Sequence, residues 1–402
     1  MKTNKAGIER SFQRRLSSTN LDYVREYIDI VPWRERLLGI RGARGVGKTT
    51  LIMQKILRDI PNKSEALYVS LDNLYFFENN LYDLAEDFIA NGGKCLFVDE
   101  VHKYANWSVE LKMIYDEFPE LKVVFTGSSI LQMLKGNADL SRRALIYDLP
   151  GLSFAEYLHF EQVTDFAPIK LDDIVTNHLE IAESLRTIKP VKHFKNYLKH
   201  GYYPFYKEYA DTYHQRLSQV INMVIDTDLV AIYDINIETV HKLKQLLYVI
   251  AASVPFKPNV TKLSQHIRAS RNTTLMLFEY LKEARLAQLL HIPGKGHNYL
   301  RKPEKVFLGN TNLAYAIAAE NNNEGNLRET FFLESISRTH QAHAPKKGDF
   351  LVDEHYVFEV GGKHKKITQI EGIPHSYVVS DNIEQGHGRN IPLWMFGLLK
   401  SL

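Results

Sequence analysis

The string Gly42-Ala43-Arg44-Gly45-Val46-Gly47-Lys48-Thr49 limits what this chain can fold into more than any other feature. It satisfies G-x-x-x-x-G-K-[ST] between an apolar run, Leu37 to Ile40, and a helical stretch, Thr50 to Ile60. Glycines there let successive backbone N–H groups curl around phosphate oxygens without Cβ clashes, and the following helix adds its positive N-terminus. Gly42, Ala43, Arg44, Gly45, Val46, Gly47, Lys48, Thr49 and Thr50 are therefore expected to form a nucleotide cradle. Lys48 would neutralise the β and γ oxygens. Thr49 would offer its hydroxyl to magnesium, a hard cation that keeps several waters and takes few protein ligands.

Around this string the pattern is that of strands alternating with helices. Leu37 to Ile40, Leu67 to Leu71, Cys95 to Val98, Val123 to Phe125 and Ala144 to Leu149 are short and mostly unbroken by polar residues. Strands buried on both faces of a parallel sheet read this way, so residues 1–150 are expected to be a doubly wound α/β domain. Phosphoryl transfer needs a metal held beside the cleaved bond, which calls for an acid at the end of a neighbouring buried strand. Asp99 and Glu100, closing the run that begins at Cys95, supply it. Asp99 is expected to hold magnesium and Glu100 to orient and polarise the attacking water. A third strand ends in Thr126-Gly127-Ser128-Ser129. Ser128 there is placed either to hydrogen-bond the γ-phosphate or attacking water, or, like Ser129, to cap a helix beginning near Ile130.

These three elements in this order resemble the AAA+ ATPases, a subset of the P-loop NTPases. The resemblance implies ATP as the nucleotide, magnesium as its metal, and a homo-oligomer in which an arginine crosses a subunit boundary. Arg142 and Arg143 occupy the position of that arginine finger, and Arg143 is the candidate. A basic helix end facing its own dipole is the other use of the pair. The helical pattern of residues 151–240 resembles the AAA+ lid. From Arg36 onward the chain is similar to a narrower group of prokaryotic AAA+ ATPases carrying a winged helix and a restriction-endonuclease-like domain. The strings "GARGVGKTT", "LFVDEVHKYANW", "FTGSS", "DLPGLSFAEYL" and "KPEKVFLGNTNL" carry that likeness.

Residues 241–312 fit a winged helix: a short helix near Leu263 to Ile267, a break, a longer helix from Asn272 to Glu283, and two apolar segments flanking Pro293-Gly294-Lys295-Gly296. The stretch from His241 to Asn310 holds 12 Lys and Arg against 3 acids, an excess of +9, while the whole chain is only +3 and the remainder therefore −6. Such a basic patch on an acidic chain is the footprint of a nucleic-acid binder, and DNA is expected along residues 260–305. Arg271, Asn272, Thr273 and Thr274 would open the recognition helix, with Lys295 in the wing and Arg301, Lys302 and Lys305 beyond.

Glu320-Asn321-Asn322-Asn323-Glu324-Gly325 has linker composition and introduces residues 325–402, a small α/β domain. A helix from Leu327 to His340 is expected, then strands at Asp349 to Val352, Tyr356 to Val360, Ser376 to Val379 and Ile391 to Leu398. Glu329, Asp349 and Glu359 resemble the acidic set of the PD-(D/E)xK nucleases, whose carboxylates converge on magnesium. That pattern wants E-x-K, but the chain reads Glu359-Val360-Gly361-Gly362-Lys363. Lys363 lies two places late, about 6.6 Å too far along an extended strand unless the glycines turn it back, and Lys365 or Lys366 are the substitutes. DNA cleavage is therefore not expected. A lone cysteine, Cys95, excludes an internal disulfide and fits a reducing cytoplasm. No run approaches the roughly 18 apolar residues of a membrane span. Two functional readings follow. One is an ATP-driven enzyme that moves the basic and nuclease-like domains on DNA; the other is a nucleotide-controlled switch for a protein partner, with slow turnover and no DNA role.

Overall fold

Apolar runs without polar interruption cannot present one face to water, and in the first unit of the chain they pair into one parallel sheet. The strands are β1 (Leu37–Arg41), β2 (Ala66–Ser70), β3 (Cys95–Asp99), β4 (Lys122–Gly127) and β5 (Leu145–Asp148), in the order β2-β3-β4-β1-β5. Every pairing is parallel. This is an α/β fold with a five-stranded parallel sheet. The computed structural model describes residues 5–127, 140, 142–252, 257–294, 302–318 and 323–400. Its contacts divide the chain into two units, Met1–Gly151 and Leu152–Leu402.

The acid-bearing strand, β3, is separated from β1 by β4. That insertion gives β4 access to both halves of the site. Helices Lys48–Asp59, Leu81–Ala90 and Trp107–Glu117 cover the sheet. A further helix, Lys5–Ser18, comes before the first strand. Ile8, Phe12 and Leu16 recur every four residues on its buried face, a stripe hidden among arginines. Phe12 stacks on Tyr68 of β2 at 6.5 Å.

The second unit is helical from Phe154 to Ala252. Helices Val260–His266 and Arg271–Glu283 follow, and then β6 (Ala287–Leu290) pairs antiparallel with β7 (Lys305–Leu308). The next helix, Thr311–Ile317, is pinned by Asn312, whose buried amide is saturated. Its oxygen accepts from the Tyr202 N–H at 2.9 Å and the Tyr213 hydroxyl at 2.6 Å, and its nitrogen donates to the Tyr197 and Leu198 carbonyls. Helix Glu324–Ile336, capped by Asn323, packs on a second sheet of order β12-β11-β10-β9-β8. Its strands are β8 (Ala342–His343), β9 (Phe350–Val352), β10 (Tyr356–Gly361), β11 (Ser376–Ser380) and β12 (Asn390–Pro392). The strand expected over Ile391 to Leu398 ends at Pro392 and continues as buried 3-10 turns through Leu398. An unbroken apolar run reports burial, not strand geometry. Among the described residues no helix is long and apolar enough to cross a membrane.

Two side chains expected at a DNA surface are not at the surface. Thr274 is fully buried, donating to the Ser270 carbonyl and meeting Ser264 at 2.9 Å. Lys305 on β7 is 6% exposed, and its ammonium lies 2.8 Å from both Glu329 and Asp349. Burial pulls the Lys305 pKa down, but the two carboxylates overcome it and hold the ammonium above the usual lysine value. Burial, with Asp349's charge beside it, lifts Glu329 above the ordinary carboxylate range. Removing one partner from such a cluster strands charge in the interior. Lys305→Met is expected to cost about 3–5 kcal/mol near pH 8. Without the ammonium the Glu329 carboxyl still sits above its unfolded pKa, so the penalty should shrink as pH falls toward the unfolded value. Denaturant unfolding at pH 8 and pH 5 checks this, and an equal loss at both would contradict it.

Candidate functional site

The loop between β1 and helix Lys48–Asp59 is built by its glycines. Gly45 and Gly47 take φ of 89° and 94°, the left-handed region in which a Cβ is strained. Gly42 is closed in differently: a Cβ there would lie 2.3 Å from the Leu149 carbonyl oxygen, at the end of β5. Lys48 is buried, and its ammonium folds back over the loop, donating to the Gly42 carbonyl at 2.9 Å and the Ala43 carbonyl at 3.1 Å. Gly47 is the helix N-cap and supplies no side-chain cap, so the first-turn N–H groups are left for an anion. Thr49 stands half-buried in that turn and Thr50 is exposed.

Asp99 closes β3 and is 3% exposed. Three hydroxyls and one N–H converge on it. Thr49 donates to Oδ2 at 2.6 Å, Tyr68 donates to Oδ2 at 2.7 Å, Thr126 of β4 donates to Oδ1, and the Glu100 N–H reaches Oδ1 at 3.1 Å. A carboxylate and a threonine hydroxyl side by side are the hard oxygen donors magnesium prefers, so the residues fit the metal that the motif implies. Burial, and then the Asp99 charge, raises the Tyr68 pKa far above its usual value, so its hydroxyl stays protonated and donates. Tyr68 has no counterpart in the expected site. On sequence it is one apolar residue in a buried run, and only the pairing of β2 with β3 brings it to Asp99.

Glu100 adopts a left-handed backbone, φ 52° and ψ 41°, a strained state for a side-chain-bearing residue that recurs at functional sites. The turn that follows folds His102 back, placing its Nε2 3.1 Å from Glu100 Oε2. Arg143, the candidate finger, is engaged within its own unit: Nε lies 2.8 Å and Nη2 2.9 Å from the two oxygens of Asp116. Arg142 beside it is exposed. Ser128 and Ser129, with Lys295 and Arg301, lie outside the described residues.

Glu329, Asp349 and Glu359 also lie among lysines: Lys365, one of the two expected substitutes, and Lys305, which the spacing did not point to. Glu329 and Asp349 share Lys305 from β7. Glu359 on β10, 1% exposed, pairs with Lys365 at 2.5 Å. Lys363 is exposed and is not the partner of Glu359, because the chain turns at Gly361-Gly362 and the Lys365 N–H closes on the Gly362 carbonyl at 2.9 Å. The lysine of this cluster is therefore Lys365, with Lys305 contributed from a distant segment.

Residues 34–158 match the model of the AAA domain family, and residues 191–324 match a domain of unknown function (DUF8612). An uncharacterized protein of Methanocaldococcus jannaschii is 25% identical over 303 residues, covering 71% of this chain and 63% of that protein, so the match takes in less than two thirds of the relative's length. Among solved structures, AMPPCP-bound DnaA from Aquifex aeolicus aligns at 14% identity and TM-score 0.25, over 64% of this chain and 85% of that one. The Hsp104–ADP complex of S. cerevisiae aligns at 17% identity and TM-score 0.31, over 68% of this chain and 41% of that one. The match of residues 34–158 supports an AAA-type P-loop ATPase fold for that segment.

Proposed function

We propose that this chain is a magnesium-dependent ATPase whose nucleotide cycle moves a basic winged-helix segment and a nuclease-like domain on DNA. The observation that carries the ATPase reading is the pairing of Thr49 with Asp99 at 2.6 Å, beside a lysine folded over the glycine loop. Bound magnesium would supply charge neutralisation and Lewis acidity at the phosphates. Lys48 would leave the Gly42 and Ala43 carbonyls for the phosphate oxygens. Thr49 and Asp99 would hold the metal, and Glu100 would turn from His102 to take up the proton of the attacking water. Lys48→Ala should weaken nucleotide binding, whereas Glu100→Gln should bind ATP normally and lose about a hundredfold or more in turnover. Turnover by Glu100→Gln at the wild-type rate would remove the base assignment.

Arg143 would act on a neighbouring subunit's nucleotide only after releasing Asp116. Mixing Arg143→Ala with Lys48→Ala subunits should then restore part of the activity, and an absence of complementation would point to a site complete within one chain.

For DNA, the support is the exposed positions of Lys262, Arg268, Arg271, Asn272 and Arg285 on and around the helix pair. A second reading, a nucleotide-controlled switch for a protein partner, is favoured by the burial of Thr274 and Lys305, which cannot touch DNA without unpacking. Salt separates the two, because phosphate contacts release counterions. If DNA is bound here, affinity should fall steeply with salt, and Arg271→Ala should lower the slope by about one. Binding that is absent, or indifferent to salt, would leave the switch.

A further inference from the structure

Arg25 lies ahead of the segment that matches the AAA domain, and the residue is 5% exposed. It reaches three backbone carbonyls. Nη1 donates to the Val46 oxygen at 3.1 Å and the Pro150 oxygen at 2.8 Å, and Nη2 donates to the Gly151 oxygen at 3.1 Å. Its carbon sits 5.0 Å from the centre of the Tyr27 ring, which in turn meets Tyr147 of β5. Val46 is the residue between the two left-handed glycines of the phosphate loop, and Gly151 is the last residue of the first unit.

A trans peptide points its C=O and the next N–H in opposite directions. Holding the Val46 carbonyl on Arg25 therefore turns the Gly47 N–H to the opposite side. A planar guanidinium offers donors in a fixed fork, so the three carbonyls are held in one geometry; a lysine, a single point charge, cannot reproduce it.

We propose that Arg25 is a positioning residue for the phosphate loop, and that the same guanidinium carries the state of that loop to the Pro150–Gly151 backbone where the chain leaves the first unit. This rests on the nucleotide-binding reading above. A phosphate drawn onto the Gly47 N–H tilts the Val46 peptide, and the carbonyl on its other side shifts against Arg25. The fork then has to re-seat on Pro150 and Gly151.

The test uses the full chain, magnesium and ADP, with binding followed by calorimetry and amide hydrogen exchange followed in peptides spanning residues 147–153. In the wild type, saturation with ADP should change the protection of this stretch. Arg25→Lys should bind ADP about tenfold more weakly, the loss of roughly one charged hydrogen bond. Saturated with ADP, it should show no change at 147–153. A purely structural arginine would lower the melting temperature and leave the ADP response intact. Arg25→Gln, which keeps a neutral donor, serves if Arg25→Lys does not fold.

An ADP-dependent change that persists in either variant, or wild-type affinity in both, overturns the inference. So does a wild type that binds ADP with no change at 147–153. A wild type that binds no ADP, or a Lys48→Ala variant that binds it as well as wild type, removes the nucleotide reading itself and the inference with it. Measuring wild-type and Lys48→Ala binding first keeps those failures apart.

Discussion

The charge on Asp99 is the constraint around which the first unit is organised. A carboxylate 3% exposed at the end of a parallel strand has lost most of its water, and burial of that kind is tolerated only when other donors replace the solvent. The donors come from separate parts of the chain: the phosphate loop through Thr49, β2 through Tyr68, β4 through Thr126, and the Glu100 backbone. Each must be in register for Asp99 to be satisfied, so sheet order, loop conformation and site geometry are one problem. The placement of β4 between β1 and β3 is part of the same solution, since it brings the Thr126 hydroxyl to the acid.

Much of this unit is legible in its amino-acid sequence. The five strands begin and end within about two residues of the apolar runs, because residues buried on both faces leave no polar alternation to misread. The phosphate loop, Asp99 and Glu100 are legible because their chemistry is written in local strings. The supports are not. Tyr68 and Arg25 contribute through pairing and through backbone carbonyls, which leave no spacing to detect. The helix Lys5–Ser18 is hidden because three apolar residues at intervals of four stand among charged neighbours.

In the second unit the charge pattern is visible in the sequence and its distribution in space is not. The basic excess of residues 241–310 includes Lys305, which faces Glu329 and Asp349 rather than water. Counting charges along a chain cannot separate a solvated lysine from one that neutralises acids from a later segment. The same limit applies to Glu359: spacing along a strand leaves Lys363, Lys365 and Lys366 open, and the turn at Gly361-Gly362 selects Lys365. The Lys305 and Lys365 ammoniums pair with the three acids of this cluster, while Glu359 Oε2 is left without a hydrogen-bond partner.

Gly42 is conventionally counted with the residues that cradle phosphate, yet the atom nearest to a Cβ at that position is the carbonyl oxygen of Leu149. The intolerance is thus imposed by the protein's own backbone, at the edge strand, and exists with or without nucleotide. In an alanine scan scored by binding alone, Gly42 would register as a ligand contact of the first rank. Scored by the integrity of the β1 and β5 pairing, it would be recognised as a spacer between two backbones.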